Sequence, residues 1–76
     1  MNESERILAE AVEALEKALS KDPMNGPFLY GMAALLALEG KPAQAMKYLK
    51  QAESLGVNGS TLRRWLSQKF PAESLP

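Results

Sequence analysis

Apolar residues recur along this chain at helical intervals, in four blocks separated by Pro, Gly and Asn. In the first block Ile7, Leu8, Ala11, Val12, Leu15, Ala18 and Leu19 fall three and four residues apart, which predicts one amphipathic helix over about 3–21. Asn2 or Ser4 can cap its start, Asn2 with Glu5 has capping-box spacing, and Asp22-Pro23 stops it. The second block, about 27–39, holds Phe28, Leu29, Met32, Ala33, Leu35, Leu36 and Leu38. It is apolar nearly all round, so it is expected to be the most buried element. Pro27 suits its first turn and Gly40 its C-terminal cap. The third helix, about 42–55, places Ala45, Met46, Leu49 and Ala52 on one face beside Tyr48, and Gly56 ends it. The fourth, about 60–70, starts at Ser60 as N-cap and carries Leu62, Trp65, Leu66 and Phe70. Trp65 reads as packing in the core or under the cap. Pro71 terminates the helix, and residues 71–76 are expected to fray. The prediction is an all-α chain, with a single helical domain over residues 1–70. Its short connections favour antiparallel neighbours.

The blocks also match one another at an offset of 34 residues. Ala11 pairs with Ala45, Leu15 with Leu49, Ala18 with Ala52, Phe28 with Leu62, Met32 with Leu66 and Leu36 with Phe70. Helix one therefore corresponds to helix three, and helix two to helix four. A 34-residue period on a helix–turn–helix unit resembles the tetratricopeptide repeat (TPR) family, in about one and a half to two repeats. The complete unit is Gly26 to Gly59. The resemblance implies a small residue on each of its two helices at their crossing, Ala33 and Ala45. Leu29, Met32, Leu36, Leu49 and Ala52 surround that crossing, and Ala11 and Ala18 take the same role in helix one. Small residues let helices approach, and larger neighbours then interlock. Pro23 fits the proline that closes a unit, and Val57 stands where the next would be.

The same resemblance implies antiparallel helical hairpins in a right-handed α–α superhelix of four helices. It also implies a groove, lined by the first helix of each unit, that holds a peptide or helix of a partner protein. The groove positions carry over as Tyr30, Ala34, Ala37 and Leu38 in helix two, and Arg64 and Gln68 in helix four. Some members clamp a terminal carboxylate with a Lys, Arg and Asn set, which Tyr30, Ala34 and Arg64 do not reproduce. The functional expectation is an adaptor or chaperone-like scaffold.

Composition narrows the alternatives. The 76 residues include no cysteine and no histidine, which removes disulfides and the usual zinc ligands. No nucleophile–base arrangement and no Gly-rich phosphate loop is visible, so no catalytic residue, cofactor or metal is expected, and the chain is read as not an enzyme. Net charge is zero, which gives no reason to expect nucleic acid. No apolar run reaches the roughly 20 residues of a membrane span, and the acidic N-terminus is unlike a signal peptide. A cytoplasmic setting is the default. Charge is divided, however: residues 1–22 carry six acidic and three basic side chains, whereas residues 41–70 carry one acidic and six basic. Helix one also lacks the partner helix that the repeat would give it, and Ile7, Leu8 and Val12 exceed what one neighbour covers. A self-associating module, as a homodimer or a head-to-tail assembly, is therefore the alternative expectation.

Overall fold

The computed structural model describes residues 2–71 and contains four α-helices among them: α1 (Glu3–Lys21), α2 (Gly26–Leu38), α3 (Pro42–Ser54) and α4 (Ser60–Lys69). The expected fraying of the last residues falls mostly on 72–76, outside the described residues. The boundaries differ from the sequence reading by one residue at most, and the caps explain where each helix begins and ends.

At the start of α1 the capping box is complete. Asn2 Oδ1 accepts the Glu5 N–H at 2.8 Å, and Glu5 Oε1 accepts the Asn2 N–H at 3.0 Å. The start of α2 is set by Asn25, whose Oδ1 accepts the Phe28 N–H at 2.9 Å, so the helix begins at Gly26 with Pro27 in its first turn. At α4 the expectation of Ser60 as cap is corrected. Ser60 is already the first helical residue, and Asn58 Oδ1 accepts its N–H at 3.1 Å. Gly59 takes the N-cap position expected of Ser60, without a side-chain cap, and Asn58 makes a local turn just before the helix.

Both α2 and α3 end in the same way. Gly40 and Gly56 take positive φ, 77° and 93°. The Lys41 N–H reaches the Leu36 carbonyl and the Val57 N–H reaches that of Ala52, as in a Schellman motif. This repeated ending returns the chain sharply after each helix.

The core is a seam between α2 and α3 that extends to α4. Met32, Ala33, Leu36 and Ala37 meet Ala45, Met46, Leu49, Leu62 and Leu66. Met32, Leu49 and Leu66 are almost wholly enclosed, and each such burial contributes about 1.5–3 kcal/mol. The residues expected at the crossing, Ala33 and Ala45, are both at 0% exposure, and so are Leu49 and Ala52. Leu29 is also buried, whereas Ala11 and Ala18 on α1 are only half-buried.

Two glycines allow close approach elsewhere. A Cβ at Gly59 would stand 2.6 Å from Leu49 Cδ1, and one at Gly26 would stand 2.8 Å from Val57 Cγ2. The first brings the start of α4 onto α3, and the second brings the start of α2 onto the α3–α4 turn. The result is a slab with extents of 34 × 32 × 17 Å.

Candidate partner-binding groove

The two helices that the repeat register equates, α2 and α4, enclose a hollow of about 200 Å³. Its wall is Ala34, Ala37 and Leu38 from α2, with Leu62 and Trp65 from α4. All five are apolar. Small residues on the α2 side make the concavity, and the Trp65 indole forms the opposite wall. Trp65 is half-buried, packs against the core and meets Phe70 edge-on, with ring centroids 6.3 Å apart. Leu38 stands at the rim, 60% exposed, although it is a large aliphatic side chain.

Of the positions expected to line the groove, the structure brings Ala34, Ala37 and Leu38 together. Ala37 is at once a core residue, at 2% exposure, and part of the wall. Tyr30 is half-buried against the core and lies outside this wall. Arg64 and Gln68 are exposed on α4 and do not line the hollow. Leu62 and Trp65 complete the wall and were not among the expected groove residues. The offset did not point to them, since they stand 34 residues after Phe28 and Gly31, which are not groove positions, and their apolar character pointed to the core.

A second hollow, of about 280 Å³, lies where α1 passes the α2–α3 corner. Glu5, Leu8, Ala9, Leu38, Glu39 and Lys41 line it, so Leu38 belongs to both hollows. Its polar rim includes an ion pair from Lys41 Nζ to Glu39 Oε1 at 3.5 Å. Of the residues expected to serve self-association, Leu8 lines this hollow, Ile7 is 58% exposed and Val12 is packed against the core.

The electrostatics are mostly those of a solvated surface, with one organised pair. Arg63 on α4 reaches back to Glu53 on α3. Its Nε donates to Glu53 Oε2 at 3.2 Å, and its Nη2 donates to Glu53 Oε1. The hydrogen bonds from Arg63 hold the Glu53 carboxyl below the ordinary glutamate value, and Glu53 raises the Arg63 guanidinium in turn. One of the six basic residues of the 41–70 segment, Arg63, is therefore paired with its one acidic residue. Among the described residues no polar side chain is buried, no acidic cluster is placed to hold a metal ion, and no helix is long and apolar enough to cross a membrane.

The repeat model described as tetratricopeptide repeat matches residues 5–63. This chain belongs to the tetratricopeptide repeat family. The match runs from the first turn of α1 to the first turn of α4, so it includes the whole α2–α3 seam around Ala33 and Ala45. No curated protein and no solved structure matches the chain. Membership in this family marks the chain as a protein–protein interaction module. In TPR register, α1 and α3 are second helices of their units and α2 and α4 are first helices. The hollow between α2 and α4 thus lies between two first helices.

Proposed function

We propose that this TPR module is an adaptor or chaperone-like scaffold that holds an apolar segment of a partner protein, as an extended peptide or a helix, between α2 and α4. The observation that carries this reading is the wholly apolar hollow of Ala34, Ala37, Leu38, Leu62 and Trp65. Partner sites commonly combine an aromatic anchor with an apolar pocket and a polar rim. Trp65 supplies the anchor. Arg64 and Gln68, exposed on the same helix, supply donors and acceptors for the polar parts of the bound segment.

The test is a displayed peptide library selected against the whole chain. Trp65 is the chain's one tryptophan, so its fluorescence reports occupancy directly. Selected peptides are expected to carry at least two apolar residues and to shift the Trp65 emission. Leu38→Glu changes an exposed rim residue and is expected to weaken them by about tenfold, or about 1.4 kcal/mol, with the helical circular dichroism unchanged. Peptides that bind the Leu38→Glu chain equally well and leave Trp65 emission unmoved would place the partner surface elsewhere.

A further inference from the structure

We propose that the open apolar face of α1 is a homodimer interface, on which α1 of a second copy packs antiparallel. The apolar residues of α1 form two adjacent stripes. Leu8, Val12, Leu15 and Leu19 make one, and Val12, Leu15 and Leu19 pack against the core. Ile7, Ala11, Ala14 and Ala18 make the other, and α2 does not cover it. Ile7 is 58% exposed, Ala14 is exposed, and Ala11 and Ala18 are half-buried.

The repeat register shows what such a stripe is shaped to take. Thirty-four residues on, its counterparts are Lys41, Ala45, Tyr48 and Ala52. Ala45 and Ala52 are at 0% exposure on α3, the helix that packs most extensively against α2. The same stripe is thus filled by a helix on α3 and left open on α1. Its spacing of four, three and four residues is that of a two-helix seam, and its alanines permit close approach.

Charge identifies the occupant. Glu10 and Lys17 flank the open stripe on the side away from α2, seven residues apart, and both are exposed. In an antiparallel pair centred between Ala11 and Ala14, Ala11 of each copy packs beside Ala14 of the other. Glu10 of each copy then lies beside Lys17 of the other, which gives two complementary pairs across one seam. The competing occupant, α4 of a neighbouring copy in head-to-tail order, fits less well. Where α2 has Leu29 and Ala33, α4 has Arg63 and Ser67, and Arg63 is already held by Glu53. The dimer face is separate from the α2–α4 hollow, so the proposal stands or falls independently of the groove.

Sedimentation equilibrium of the full 76-residue chain, from low to high micromolar, tests it. The expected result is a monomer–dimer equilibrium with no larger species. Ala14→Lys, at an exposed helical position, should keep the circular dichroism spectrum and raise the dimer dissociation constant by more than about tenfold, because the new charge would be buried unpaired. Glu10→Lys and Lys17→Glu each set like charges together and should weaken the homodimer by about threefold to tenfold. An equimolar mixture of those two variants restores both pairs and should dimerise within about twofold of the parent chain. A monomer throughout, growth beyond the dimer, indifference to Ala14→Lys, or no recovery on mixing would each overturn the proposal.

Discussion

The first two helices differ sharply in how much of their apolar surface they bury. α1 is 19 residues long and well segregated into apolar and polar faces, yet none of its residues is buried; α2 is 13 residues long and buries six. The difference lies in neighbours. α2 is flanked by α1 on one side and α3 on the other, and its side chains also join Leu62 and Leu66 of α4 in the core. α1 has α2 alone as a close neighbour. Apolar content thus sets how much a helix can bury, and its place in the array sets how much it does bury.

Substitution of large side chains should break the comparison most visibly. Leu36→Ala on α2 empties a site at 3% exposure and is expected to cost about 2–5 kcal/mol. Ile7→Ala on α1 removes a similar volume from an exposed site and should stay within about 0.5 kcal/mol, measured by urea denaturation at concentrations where the chain is monomeric. Equal losses would mean that α1 is covered as well as α2 is.

Enlarging the small residues is the reciprocal experiment, with a smaller effect. Ala45→Leu overpacks the α2–α3 crossing and should cost about 1–3 kcal/mol. Its counterpart on the open stripe of α1, Ala11→Leu, should change thermal stability by less than about 0.5 kcal/mol. Similar penalties at both positions would place a helix against α1 in the monomer.

The sequence made much of this contrast visible, through features local in the chain. The TPR resemblance carried by the 34-residue offset implied Ala33 and Ala45 at the helix crossing. The Asn2–Glu5 box and the glycines at 40 and 56 marked helix ends, because caps are written within a few residues. The signals that stayed hidden cross between helices. Glu53 and Arg63 are ten residues apart and meet across the α3–α4 turn, where Gly59 lets α4 approach α3 closely. Trp65 could be recognised as apolar, but whether it faced the core or a groove depended on the small residues opposite it on α2. Val12 looked available for association because its distance from α2 is not encoded in its spacing.

A smaller effect sharpens the comparison at the turn that makes α2 central. Gly40 has positive φ and open space around it, so Gly40→Ala tests backbone strain alone. The expected cost is about 1 kcal/mol, read from the denaturation midpoint. At the equivalent turn Gly56→Ala should behave alike, since its φ is also positive and its surroundings are also open.

The smallest effect concerns the other end of the array, where α4 leans on α3. The folded-state pKa of Glu53 is lowered chiefly by its hydrogen bonds from Arg63. A lowered carboxylate pKa stabilises the fold above the unfolded value of about 4.3, and the contribution fades as pH falls through the folded value. Arg63→Gln should therefore lower the melting temperature modestly at neutral pH, and the gap to the parent chain should close in acid below that range. Added salt should narrow it as well, since the pair is partly exposed. A gap that persists unchanged in acid would assign the loss to packing of the Arg63 stem rather than to its charge.

The slab is 17 Å across its thinnest direction, less than two full helix diameters of about 10–12 Å. In so thin a body the core lies close beneath the surface, and Ala37 is both sealed in the core and part of the wall of the proposed groove. Any change of ligand preference made there is also a change of fold stability. New specificities are therefore expected to arise at Leu38, Arg64 and Gln68, where the surface can vary without disturbing what holds the helices together.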